Sequence, residues 1–267
     1  MSDKPKEQEK PNEVALWRPT PFQGVDLLPV HAKPGVVALR EAAAMEEVEI
    51  EDIVLPSLSL LQGQSDAVTQ GVPGATPGKW FHSVTQEVFT PPLRVLLVYY
   101  YKTAALFPNP QNPAHSGLEK CLSRDLVQGT KYGLCESCPH NFRTWDNERN
   151  EPPACAATHN FVAMLDNGPA VIRMAKSAYK VGRNFLSNVK LSGGSWWDHP
   201  IILASKQAPK EVGGKMTTYH VPTILWQRSE ATPEAYRAAA QRLYEQVKAA
   251  RDVGKLREDE GSIQDAV

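Results

Sequence analysis

Four cysteines, the only ones in the chain, are the residues whose type and spacing most clearly indicate chemistry. Cys135 and Cys138 form a C-x-x-C pair, and two thiolates from one such turn can reach the same ion. Cys121 and Cys155 flank the pair at a distance in sequence that lets them complete a tetrahedron from other turns. The spacing therefore predicts a structural Zn²⁺ bound by all four cysteines.

The residues around the cysteines favour a metal-stabilised segment. Apolar residues are too sparse there to build a core, and a bound metal can supply about 10 kcal/mol or more of folding free energy. Turn-forming residues punctuate the segment at Gly129, Gly133, Pro139, Pro152 and Pro153.

Other uses of the cysteines stay open at this point. Two disulfides would need an oxidising compartment, which we do not expect because the N-terminal residues do not resemble a signal peptide. An iron–sulfur cluster also takes four thiolates, although no neighbouring residue suggests electron transfer. A histidine could replace one cysteine as a ligand, the candidates being His140, His159 and, further away, His115.

The motifs of the common enzyme classes are missing from the sequence. There is no H-E-x-x-H, no H-x-E ahead of the C-x-x-C, no Walker A loop, no G-x-G-x-x-G and no G-x-S-x-G. A zinc-dependent nuclease built on Glu211 and Lys215 is the weakest of the functions considered. We therefore expect a protein that is not an enzyme.

Charge is distributed unevenly along the 267 residues, although 29 basic and 30 acidic residues nearly cancel. Residues 1–78 hold six Lys or Arg against twelve Asp or Glu, and residues 229–267 hold six against eight. Residues 79–228 hold seventeen against ten. A basic centre between acidic flanks is typical of a polyanion-binding domain, although such an excess also arises by chance on a solvated surface.

Hydrophobic periodicity predicts a mainly β protein with two longer helices. Strands are expected over 79–90, 93–102, 159–165, 170–174, 201–205 and 217–226. Helices are expected over 176–189 and 232–251, and a short acidic helix over 40–51. No apolar run approaches the roughly 20 residues that a bilayer span requires, so we expect no membrane segment.

Aromatic and cationic residues occur side by side in the basic centre. Rings that stack on bases and cations that neutralise phosphates are how single-stranded nucleic acid is held, although any one strand aromatic is more often core. The stacking candidates are Trp80, Tyr99, Tyr101, Trp196 and Trp197. The phosphate-binding candidates are Lys102, Arg173, Lys176, Lys180 and Arg183.

The order of these features resembles zinc-containing single-stranded-DNA-binding proteins of the OB-fold type from bacteriophages and mobile elements. The similarity covers residues 55–226 and depends on the tract 58–65, Cys121-x-Ser123-x-Asp125, Gly133-x-Cys135-x-x-Cys138-Pro139, Cys155 and Tyr219-x-x-Pro222. It implies an OB-like antiparallel barrel with a zinc-bearing insertion. The acidic C-terminus also resembles tails that recruit replication proteins and shield the binding groove.

We therefore expect a mainly β (α+β) chain with three parts. Residues 1–54 form a flexible acidic arm, residues 55–228 an OB-like domain with its zinc insertion at 115–158, and residues 229–267 a helix with an acidic tail. The expected function is sequence-nonspecific binding of single-stranded DNA in phage replication, recombination or transcription, in the host cytoplasm. The tail would dock replication or transcription proteins. The alternative is a zinc-stabilised interaction or transcription-regulating module that docks RNA polymerase or a replisome protein.

Overall fold

A computed structural model describes residues 54–108, 115–143, 153–165, 168–212, 215–254 and 256–258. Residues 1–53 of the predicted N-terminal arm, with its helix over 40–51, and the acidic tail past residue 258 lie outside the described residues. Within these residues the chain forms thirteen strands and three helices. No described helix is long and apolar enough to cross a membrane.

The strands before the cysteines are β1 (Val54–Leu55), β2 (Ser57–Leu60), β3 (Trp80–His82), β4 (Val88–Phe89) and β5 (Leu93–Leu106). Those of the cysteine segment are β6 (Cys121–Ser123), β7 (Gln128–Gly129) and β8 (Gly133–Leu134). The later strands are β9 (Cys155–Leu165), β10 (Gly168–Met174), β11 (Ile201–Val212), β12 (Lys215–Trp226) and β13 (Arg257–Glu258). The helices are α1 (Asp66–Thr69), α2 (Lys176–Ser192) and α3 (Glu234–Asp252).

Nine strands form one curled sheet in the order β12-β11-β5-β9-β10-β2-β3-β4, with β6 also paired to β5. The mainly β expectation is confirmed. The sheet is not fully antiparallel as expected, because β2 runs parallel to β10. The order has two ends, β12 and β4, so the sheet is a half-barrel.

Each face of the sheet carries a core of its own, because successive residues of a strand point to opposite faces. One face packs against α2 through Phe161, Leu203 and the helix residues Phe185 and Val189. The other packs against α3 and contains Val98, Val162, Ala239, Ala240, Leu243 and Val247. Both long helices therefore belong to the folded body, and the predicted helices over 176–189 and 232–251 are confirmed with small shifts of their ends.

The cysteine segment leaves the sheet after β5 and returns at β9. These two strands pair directly over most of their length, from Leu96 with Met164 to Leu106 with Cys155. The described part of the segment, residues 115–143, contains only short strands joined by turns. It is therefore an insertion between two neighbouring strands.

The hairpin of β11 and β12 extends past the rest of the sheet. Only Ile201–Leu203 of β11 pair with β5, whereas β11 and β12 pair with each other from Ile201–Trp226 to Val212–Lys215. The middle of the hairpin is held by Gln62, whose side-chain amide donates to the His220 carbonyl and accepts from the His220 N–H, each at 2.9 Å.

Candidate metal site and cation–aromatic surface

All four cysteines line one cavity at the end of β5. Cys121 and Cys155 reach it from the sheet, because each pairs with Leu106, one from β6 and the other from β9. Directly paired residues share a face, so both thiols lie on the same side of the sheet as Leu106. Leu106 is buried and forms part of the cavity wall with Ala104.

Cys135 and Cys138 reach the cavity from a turn that is fixed by hydrogen bonds. The Cys135 N–H donates to the Val127 carbonyl at 2.8 Å, which ties the turn to the residue just before β7. The Asn141 side chain donates to the Cys135 carbonyl at 2.6 Å, and its own oxygen accepts from the Arg143 N–H at 2.8 Å. Polar contacts with the backbone therefore replace the apolar packing that this turn lacks.

Two further residues shape the segment. Oδ1 of Asp125 accepts from the N–H groups of Val127 and Gln128 at 2.8 and 3.0 Å, and chiefly the Gln128 bond lowers the pKa of this carboxyl. A methyl group added to Gly129 would lie 2.8 Å from Sγ of Cys121. Only glycine at residue 129 leaves the Cys121 thiol its present space.

The cysteines are present as free thiols, so the disulfide alternative finds no support in this fold. Burial, and then the proximity of the other three cysteines, raises the pKa of Cys155 to about 12. Four thiols around one cavity are a donor set that Zn²⁺ accepts. As the side chains stand, however, no group of three or more His, Cys, Asp or Glu in the described part of the chain is arranged to hold a metal ion.

The three histidines considered as substitute ligands lie elsewhere. His140 packs edge-on against Tyr132, with 5.0 Å between ring centroids. His159 accepts or donates a hydrogen bond at Nδ1 with the Tyr100 hydroxyl at 2.8 Å. Neither these two nor His115 lines the cysteine cavity, so among the described residues the cavity presents four thiols and no imidazole.

Two of the predicted stacking residues, Trp80 and Tyr101, are core residues. Trp80 is 2% exposed and belongs to the same core as Leu58 and Phe161. Tyr101 is 4% exposed and lies under α3, where the Arg251 guanidinium covers its ring at 4.2 Å. Neither ring can meet a base in this fold, because both side chains are buried.

The other three predicted stacking residues are half-buried, and each packs against a further ring. Tyr99 and Trp197 both contact Tyr244 of α3, at 5.5 and 5.4 Å between centroids. Trp196 contacts Tyr100 at 5.9 Å on the opposite face of the sheet. The adjacent tryptophans thus point to the two different cores and hold the loop between α2 and β11 against both of them.

The predicted cations divide between the two faces. Lys176, Lys180 and Arg183 are exposed on the outer side of α2, at positions i, i+4 and i+7 of one stripe. Lys102 on β5 pairs with His159 and lies on this same face. Arg173 pairs with Asn160, whose other partner is the α3-covered Tyr101, so Arg173 lies on the opposite face. Helix α2 contains no Asp or Glu, so its positive charge is not offset within the helix.

A buried histidine, His159, lies close to two of these cations, Lys102 and Arg183. The sequence did not indicate this position. His159 is 1% exposed, and its ring stacks on Tyr179 of α2 with 4.2 Å between centroids and 27° between planes. Burial first, and then Lys102 and Arg183, lower the pKa of His159 to about 4. Burial likewise raises the pKa of Tyr100, its hydrogen-bond partner. The sequence places Tyr179 in the cationic helix, but only the fold shows that the His159 ring stacks against it.

A family model described as the Pam3 phage gp34-like protein matches residues 32–252. The chain belongs to this phage protein family. The match spans the cysteine segment, the sheet and both long helices, and ends with α3 at Asp252. No curated protein and no solved structure matches the chain.

In this chain the cysteine cavity and the α2 cations are neighbours on one face of the sheet. Along β5, Leu106 and Ala104 line the cysteine cavity, and the next residue on that face is Lys102, beside His159. Two residues along a strand span about 6.5 Å. A change in the cysteine segment would therefore act within a short distance of the α2 cations.

Proposed function

We propose that this chain binds single-stranded DNA without reading its sequence and serves phage replication, recombination or transcription. The observation that supports this most is the cationic side of α2, which carries Lys176, Lys180 and Arg183. Lys102 lies on the same face, close to the stacked rings of His159 and Tyr179. Unpaired strands are held by cations that track phosphates and by rings that stack on bases. The chain in this proposal is not an enzyme, and the half-barrel is OB-like.

We also propose that the cysteine segment holds a structural Zn²⁺ through Cys121, Cys135, Cys138 and Cys155. The support is that these four free thiols line one cavity and that short strands and turns surround it. The thiols would have to close around the ion, which a segment held mainly by hydrogen bonds can accommodate. When bound, the ion would stabilise the fold of the segment and take no part in a reaction.

Charge variants on the two long helices test the DNA-binding proposal. Anisotropy of a labelled oligo(dT) is titrated with the full chain at 50 and 200 mM salt. Removing two cations from α2 in a Lys180→Ala/Arg183→Ala variant should weaken binding at low salt at least tenfold and flatten the salt dependence, because fewer counterions are released. The matched control, Arg242→Ala/Lys248→Ala, removes two exposed cations from α3 and should bind like wild type. Equal loss in both variants, or no binding by wild type, would refute the proposal.

The alternative is a zinc-stabilised module that docks a polymerase or replisome protein, through the tryptophan loop or the acidic tail beyond residue 258. Both tryptophans are half-buried against the cores, so the loop offers less ring surface than the sequence suggested. Salt separates the two functions. Phosphate-mediated binding weakens steeply as salt rises, and docking through apolar rings does not.

A further inference from the structure

We infer that Tyr179 is the ring on which a DNA base stacks and that His159 beneath it is the positioning residue that fixes its orientation. This inference rests on the proposed function and adds a specific contact to it. Neither residue was among the stacking or phosphate-binding candidates from the sequence, and the five stacking candidates that were named are buried or packed against other rings.

Tyr179 lies on the border between the buried and the exposed sides of α2. At 100° per residue it lies between Gly182, which is buried, and Arg183, which is exposed. Lys176 and Arg183 are its neighbours at i−3 and i+4, the spacing at which side chains on a helix meet. One edge of the half-buried ring is thus directed to the core and the other to the cationic surface.

The inner side of the Tyr179 ring is occupied by His159. The two rings stack nearly parallel at 4.2 Å between centroids, so a base can approach only from the other side. Gly182 makes this arrangement possible, because a methyl group there would lie 3.1 Å from Cδ2 of His159. The Tyr100 hydroxyl at 2.8 Å from Nδ1 fixes the histidine ring in its own plane. Tyr179 is therefore held in one orientation before any ligand arrives.

The surroundings suit a nucleotide better than another apolar partner. Lys102 and Arg183 lie close enough to His159 for their charges to lower its pKa. Rings flanked by cations can take a base on the ring and its phosphates on the charges. A neutral imidazole under Tyr179 also avoids a buried positive charge next to these two cations.

The central experiment compares Tyr179→Leu with Tyr179→Phe by oligo(dT) anisotropy at low salt. Tyr179→Phe keeps the ring and should bind within about twofold of wild type, whereas Tyr179→Leu should lose roughly tenfold or more, in line with the stacking energy of one base. The salt dependence of both should match wild type, because no cation is removed. His159→Leu removes the imidazole ring that stacks on Tyr179. This variant should bind oligo(dT) more weakly than wild type although Tyr179 is still present.

Photo-crosslinking of the wild-type chain to 5-iodouracil oligonucleotides gives a second measurement that does not depend on how the variants fold. The adduct should map to the peptide that contains Tyr179. Three results would overturn the inference while leaving the proposed function standing, provided that wild type binds DNA. Tyr179→Leu could keep the full affinity of wild type, the Phe and Leu variants could lose affinity equally, or adducts could form only at Trp196 or Trp197. Absence of wild-type binding would overturn both.

Discussion

His159 is a histidine that folding keeps neutral. Its pKa falls from 6.5 to about 4, so between these values the unfolded chain binds a proton that the folded chain does not. The free energy of unfolding must therefore decrease as pH falls through this window. Between pH 7.5 and 5.5, wild type should lose about 1 kcal/mol more than His159→Gln in urea unfolding. Parallel pH curves for the two proteins would contradict this, since the second histidine with a lowered pKa, His82, is the same in both.

Gly129 offers a residue-scale test of the zinc proposal. An alanine methyl at 2.8 Å from the Cys121 sulfur must displace one of the four thiols. We expect Gly129→Ala to weaken zinc binding by about 10- to 100-fold, as altered support of a ligand usually does. Gly63→Ala is the control, because an added methyl there meets nothing within 4 Å. Competition with a chromophoric chelator measures both affinities, and equal values would mean that Cys121 is not a ligand.

At the scale of elements, the packing of α3 shows whether the β domain extends beyond residue 228. The sequence separated residues 229–267 from the β domain, yet Leu243 is 1% exposed and packs among Val98, Val162 and Tyr101. Leu243→Ala should lower the free energy of unfolding by about 2–5 kcal/mol through lost burial and the remaining cavity. Denaturant unfolding followed by far-UV circular dichroism measures this. A loss below about 1 kcal/mol would mean that the helix adds little to the core.

The elements could be predicted from sequence more accurately than their surroundings. Alternation along β5 puts Tyr99 and Tyr101 on one face and Tyr100 on the other, in agreement with the two cores. It could not show that α3 covers the first pair, because that packing joins residues far apart in the chain. The same limit applies to Trp80.

The cysteine cluster was predicted by its spacing alone, because a C-x-x-C turn and two outer cysteines leave few arrangements that bring four thiols together. The cation–aromatic surface required the fold. Lys102 and Tyr179 are far apart in sequence, and both become neighbours of His159 only because β5 pairs with β9 beneath α2. Arg173 shows the converse, since its sequence neighbourhood resembles that of the α2 cations while strand pairing puts it on the other face.

At the scale of the whole molecule, the cysteine segment and the sheet have different sources of stability. The sheet has an apolar core on each face, whereas residues 115–143 contain strands of two or three residues and turns held by hydrogen bonds. If zinc stabilises the segment, chelation should unfold the segment and leave the sheet intact. Hydrogen exchange should then rise sharply over 121–143 and remain low over 161–165 and 170–174.

Cys138→Ser should reproduce this exchange pattern in the presence of zinc, and zinc should protect the segment in wild type only. The unfolded segment begins beside Lys102, because Ala104 and Leu106 line the cavity on the same strand face. Affinity for oligo(dT) should therefore fall moderately, about three- to tenfold, and not vanish, because the α2 cations lie on an intact helix. Unchanged exchange over 121–143 after chelation would refute a structural metal, and loss of protection throughout the sheet would show that the two parts unfold together.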